Sequence, residues 1–153
     1  MKRNPNLKTL SFEHHDGLVM ARKIEQSFKN TDKPEDMVAY VQDIYLGGLD
    51  HHFKQEEDSL FPALQKFKEA QLVLAQVEQE HKRFLELYKL VCTNNENVYT
   101  HIRAFGKLLN DHIRYEERVF FPLVEELLTE NELVKIGIYL NKQHRPLNKE
   151  CRI

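Results

Sequence analysis

Two stretches of the chain carry one donor pattern, His52-Phe-Lys-Gln-Glu56-Glu57 and His112-Ile-Arg-Tyr-Glu116-Glu117, offset by 60 residues. A Glu-His pair precedes each of them, Glu13-His14 and Glu80-His81. In a helix, a His and a Glu four residues apart project from one face, a single turn apart. Neutral imidazoles and ionised carboxylates are what a divalent transition metal takes as ligands. Six residues are therefore candidate metal ligands: His14, His52, Glu56, His81, His112 and Glu116.

Helical spacing puts these groups on apolar stripes. His112 and Glu116 fall in the line of Phe105, Leu109, Val119 and Leu123, and His52 follows Val41, Tyr45 and Gly48. His81 lies between Val77 and Phe84. His14 is four residues before Leu18 and sits on its stripe, whereas His15 lies at the edge. His14 is thus preferred, with His15 as the alternative. The plain competing explanation is a hydrogen-bonded polar layer in an ordinary core, which readily satisfies one buried histidine. It does not satisfy six groups. Two buried carboxylates, with no Lys or Arg on those stripes, cost several kcal/mol each unless cations reach them.

Other residues read more plainly. Glu57 and Glu117 point sideways, which suits a solvated role or support of the ligands rather than ligation. His101 reads as a partly exposed helix-end residue. Tyr40, Tyr45, Tyr88 and Tyr115 read as core or rim, and His144 as a residue without signal.

The elements that must position the six groups are helices. The 153-residue chain is 41% hydrophobic and 30% charged, with five Gly and five Pro, which fits one helical domain over 1–153. Apolar residues at three- and four-residue steps mark four long segments. The first runs from about Ser11 to Phe28. The second runs from Pro34, behind an Asp32 cap, to about Leu64. The third runs from about Glu69 to a break at 93–97, and the fourth from about Val98 to Leu128. Pro62 and Pro122 should kink or end their helices. Thr129-Glu-Asn-Glu132 has capping-box form and starts a short fifth helix over about 130–141, with an irregular tail from Gln143. The pattern predicts an all-α, up-down four-helix bundle over about 11–128 with a short C-terminal fifth helix. Its two hairpins offer equal ligand sets, so an approximate two-fold axis should run through the site.

Charge and cysteines narrow the function classes. The net charge is −2 with acids and bases intermixed, and no Lys/Arg stripe suggests a nucleic-acid partner. No apolar run reaches bilayer length, and no signal-peptide core opens the chain. Cys92 and Cys151 form no disulfide framework, so a cytoplasmic location is expected.

These residues together resemble the hemerythrin-like (HHE cation-binding) family over nearly the whole chain. The family pattern is a His on helix one, His-x-x-x-Glu on helix two, one or two His on helix three, and a His followed by an acid on helix four. The resemblance implies two non-haem iron ions bridged by Glu56 and Glu116, one bound by His14 and His52, the other by His81 and His112. Zinc or manganese are the alternatives. Oxygen-carrying members have a second His where this chain has Val77, and an acid five residues after the helix-four His, where Glu116 follows by four. That departure argues against a carrier and for an open coordination position beside Val77. Relatives of similar ligand set are linked with iron sensing, repair of iron centres and response to O₂ or NO. The expected function is binding or sensing of O₂, NO or iron. The rivals are a di-iron enzyme that reduces NO or peroxide with a partner reductase, and an iron or zinc store or donor. A sensing role would need a partner output protein. Ferritin-like enzymes place Glu before His, the reverse of the order here.

Overall fold

A computed structural model describes residues 2–93 and 96–144. Among them every regular element is helical. After a 3₁₀ turn at Pro5–Leu7, the chain forms α1 (Lys8–Lys29), α2 (Pro34–Ile44), α3 (Asp50–Leu64), α4 (Gln71–Thr93), α5 (Val98–Tyr115), α6 (Phe121–Leu127) and α7 (Glu130–Gln143). A π turn, Tyr45–Leu49, joins α2 to α3, and another, Glu116–Phe120, joins α5 to α6. The bundle thus has four rods: α1, α2–α3, α4 and α5–α6.

Side-chain contacts fix the directions of the rods. His14 meets Glu117 while Gly17 abuts Ile113, so α1 and α5–α6 are antiparallel. Tyr45 stacks on Tyr88 and Phe53 on His81, so α2–α3 opposes α4. His112 reaches Glu80 and Phe105 meets Phe84, so α4 opposes α5. This is the expected up-down order.

Two apolar clusters fill the bundle. One gathers Met20, Ile24, Tyr40, Ile44, Phe84 and Phe105, and the other Leu7, Leu60, Val77, Phe120, Val124 and Leu140. The polar layer lies between them.

Several boundaries differ from the sequence reading. The first helix starts at Lys8 rather than near Ser11, because Asn4 caps the preceding 3₁₀ turn by accepting from the Asn6 N–H. Asp32 does not cap α2, whose N-cap is Lys33 without a side-chain bond. Instead the Asp32 N–H donates to the Ser27 carbonyl (3.0 Å) and closes the end of α1, with Thr31 at φ 54°. The capping box forms as expected: Thr129 accepts from the Glu132 N–H, and Glu132 accepts from the Thr129 N–H. Its helix, α7, continues to Gln143 and lies against α3, with Lys66 reaching Glu132 at one end and His51 the Gln143 carbonyl at the other. The expected tail beyond His144, Cys151 and part of the break after Thr93 fall outside the described residues.

Candidate metal centre

The four rods bring all six candidate groups into one buried layer. His14 comes from α1, His52 and Glu56 from α3, His81 from α4, His112 from α5, and Glu116 opens the second π turn. Glu56 and Glu116 are 0% exposed and none of the four imidazoles exceeds 6%, whereas His15 is on the surface.

Each imidazole is held from outside by a carboxylate on another rod. The Nδ1 atoms of His52 and His112 bond Glu13 (2.8 Å) and Glu80 (2.7 Å). Those of His14 and His81 bond Glu117 and Glu57, both at 2.7 Å. An ionised carboxylate only accepts, so Nδ1 carries the hydrogen and Nε2 turns its lone pair inward. The four pairs obey the internal repeat: Glu13–His52 matches Glu80–His112, and Glu117–His14 matches Glu57–His81. The layer is therefore two-fold in its chemistry, as the twin hairpins predict.

Inside this ring, each carboxylate straddles two pairs of imidazoles. Glu56 Oε2 lies 3.4 Å from His52 Nε2, and its Oε1 lies 3.3 Å from His81 Nε2. Glu116 Oε1 lies 2.8 Å from His14 Nε2, and its Oε2 lies 3.4 Å from His112 Nε2. Two four-atom sets result, one from His14, His52, Glu56 and Glu116, the other from Glu56, His81, His112 and Glu116, each within 4.8 Å. Ligands about 2.1 Å from one metal stand roughly 3–3.5 Å apart; here each imidazole lies 2.8–3.4 Å from its nearer carboxylate oxygen, and the cross-contacts reach 4.0 Å.

The layer is not satisfied by its own hydrogen bonds. Both oxygens of Glu56, Oε2 of Glu116 and the Nε2 atoms of His81 and His112 are buried without a hydrogen-bond partner among the described residues. His14 Nε2 and His52 Nε2 face each other at 3.1 Å, acceptor against acceptor, a contact that only a shared proton or a cation makes favourable. Burial alone would lower the imidazole pKa values, but the carboxylates outweigh it. Those of His14 and His112 are raised, and those of His52 and His81 are pushed well above the ordinary value. For Glu116, burial pulls upward and is overcome by His112, His14 and His52, which hold the carboxyl well below its usual range. The donor set therefore fits bound metal cations; protons are the substitute when no cation is bound.

A void of about 10 Å³, the room of one water-sized molecule, adjoins the imidazoles of His14, His52 and His112. Glu13, Gly17, Leu49, Phe53 and Ile113 complete its walls. A Cβ on Gly17 would stand 2.6 Å from Ile113 Cδ1, so glycine is what lets α1 approach α5 here. Val77 is fully buried in the other half of the core, among Leu74, Leu60 and Phe120.

Some partners were missed by sequence reasoning. Glu13 and Glu80 served only to align the repeat, yet each fixes an imidazole. His144, read as without signal, bonds Glu13 Oε2 at 2.9 Å, so the end of α7 touches the support of His52. Ser11 donates to Glu117 (2.8 Å), and Arg3 binds Glu117 and Glu125. The repeated acid beside each ligand was the available signal for the four supporting carboxylates.

No helix among the described residues is long and apolar enough to cross a membrane. A family model, the hemerythrin HHE cation binding domain, matches residues 7–124. Comparisons with curated proteins and with solved structures give no match.

Proposed function

Given that the chain belongs to the hemerythrin HHE cation-binding family, we propose that it is a non-haem di-iron protein that binds or senses O₂ or NO. The observation that carries this reading is the pair of four-atom donor sets sharing Glu56 and Glu116. His14 and His52 would hold one ion and His81 and His112 the other, with Glu56 and Glu116 offering an oxygen to each set. Bound iron supplies Lewis-acid and one-electron redox chemistry at the layer. The protein's own part is to hold and to exclude. Glu13, Glu57, Glu80 and Glu117 fix the imidazole tautomers and raise the basicity of the ligating nitrogens. Leu49, Phe53 and Ile113 give the void beside His14 and His52 an apolar lining. A small uncharged diatomic suits such a space; a larger substrate does not. Action in the cytoplasm and coupling to a partner reductase or output protein belong to the same proposal.

The test is metal analysis with spectroscopy on protein made with iron supplied. About two ions per chain are expected, with near-ultraviolet absorption that metal-free protein lacks and a spectral change on adding NO to the reduced form. His14→Ala should lower metal content, and His15→Ala, on the surface, should not. Metal content near zero after anaerobic iron loading would overturn the metal reading. Two tightly held ions indifferent to O₂ and NO would overturn the diatomic reading and favour a store or donor of iron or zinc.

A further inference from the structure

The two halves of the layer match in their ligands but not in what stands behind the supporting acids. The offset of 67 residues that aligns Glu13-His14 with Glu80-His81 also aligns Ser11 with Glu78 and Arg3 with Ala70. The offset of 60 that aligns Glu117 with Glu57 aligns Glu125 with Gln65. In the first half these residues close around the support of His14. Ser11 Oγ donates to Glu117 at 2.8 Å, and Arg3 donates to the Glu117 carbonyl at 2.8 Å and to its side chain at 3.4 Å. The other arm of the guanidinium is fixed on Glu125. The support of His52 is held as well, since His144 donates from Nδ1 to Glu13 Oε2 at 2.9 Å. His144 follows α7, a helix without a counterpart in the repeat.

The second half lacks this backing. Glu78 is an acid that turns to Lys82, and Ala70 has no side-chain donor. Among the described residues Glu57 bonds only His81, and Glu80 gains only the amide of Gln76 besides His112. Both acids are also more open to water. The side chain of Glu80 is 17% exposed against 1% for Glu13, and that of Glu57 44% against 31% for Glu117. Ring packing does not separate the halves in this way, because Phe121 stacks on His14 as its repeat mate Phe61 stacks on His81.

An imidazole leaves a bound ion by swinging about its own side chain, which breaks its Nδ1 bond to the acid behind it. An acid that is tied to a second donor and shut from water neither follows the ring nor takes water in its place, so the swing is harder. Arg3 also draws charge from Glu117 and lowers the basicity of His14; that acts on affinity, whereas the tether acts on the rate of release. We propose that Arg3 and His144 are positioning residues for the half of the layer made by His14 and His52, and that an ion in this half is released more slowly than one between His81 and His112. The proposal rests on the two-ion reading of the layer and is independent of the diatomic ligand.

The test loads full-length protein with zinc, which is diamagnetic, and labels its histidines with nitrogen-15. Each Nδ1–H held by a carboxylate then gives its own resonance. In excess chelator, the signals of His81 and His112 should move to their metal-free positions about tenfold faster than those of His14 and His52, the worth of one hydrogen bond to a charged group. This comparison needs no variant. His144→Ala should speed the His52 signal by about the same factor and Arg3→Ala the His14 signal, with His81, His112 and the helical content at parent values. His144→Asn, which keeps an N–H near the same place, should restore the slow rate. Movement of all four signals at one rate, earlier movement of His14 and His52, or variants that speed all four alike would each overturn the proposal and leave the two-ion reading standing. Fewer than two zinc ions per chain at the outset would overturn the two-ion reading and this proposal with it.

Discussion

Glu80 and Glu13 stand next to ligand histidines in the sequence, yet each supports a histidine on a different rod. One residue along a helix turns a side chain by about 100°, so an acid adjacent to an inward His points towards the neighbouring rod. That is why the inward-facing groups were legible in the sequence and the parts of Glu13 and Glu80 were not. A stripe on a helical wheel identifies what faces the core, but which antiparallel neighbour a flanking acid will meet depends on how the rods pack. Glu57 and Glu117 were read as sideways groups, solvated or supporting, and the structure gives each an imidazole at 2.7 Å. Glu80 offers the clean measurement, because it lies at the rim with 17% of its side chain exposed and its loss strands no buried acid. Glu80→Ala should weaken metal binding about 10–100-fold, as loss of a ligand's outer carboxylate typically does, while the helical content of the protein stays at the parent value. Competition with a chelator of known affinity measures this. Unchanged affinity would mean that His112 is held in place by packing alone.

The long helical rods were legible because their apolar residues keep a period near 3.6, and the two π turns were not, because each inserts one residue into that period. In the second turn the Phe121 N–H bonds the Glu116 carbonyl, five residues back. The wheel drawn through this segment put Val119 and Leu123 inward. The wide turn shifts the register, so that Phe121 joins the expected Phe120 in the core at 0% and Val119 is 40% exposed. Pro122, which has no N–H to give to an α-helical ladder, falls in the first turn after the wide one. The turns also depart from the internal repeat, since Tyr45–Leu49 precedes its His while Glu116–Phe120 follows its own. At the end of the fourth rod the local signal was complete, because a capping box depends on two residues three apart and not on packing. Thr129→Ala removes it from α7 and should cost about 1 kcal/mol. For a chain of this length that is a fall of about 2–4 °C in melting temperature, with metal content unchanged. A calorimetric scan of the metal-loaded variant decides it, and an unaltered melting temperature would show that α7 is held by its buried face alone.

The whole molecule is a bundle interrupted by a polar layer, and that layer makes its stability depend on what neutralises Glu56 and Glu116. Without metal, protons on the imidazoles do so. The four imidazoles have folded pKa values raised by these carboxylates against the opposing effect of burial, and unfolded values near 6.5. Protonation therefore stabilises the metal-free fold. The contribution is fully present below about pH 6.5 and is lost as pH rises through the folded values, at about 1.4 kcal/mol per pH unit for each proton released. Glu116 acts in the other direction. Its folded pKa lies well below the usual value, so its contribution is present above about pH 4.5 and lost only in stronger acid. Metal-free protein should thus be most stable between about pH 4.5 and 6.5 and should lose stability from there towards pH 8. Cations take the place of those protons, and their binding strengthens as the imidazoles deprotonate. The gap in melting temperature between metal-loaded and metal-free protein should accordingly be wider at pH 8 than at pH 5.5. Scanning calorimetry of both forms at the two pH values measures it. Equal gaps would mean that the layer of the metal-free protein opens to water and neutralises itself by hydration, in which case its burial would depend on the metal and not on the packing of the four rods.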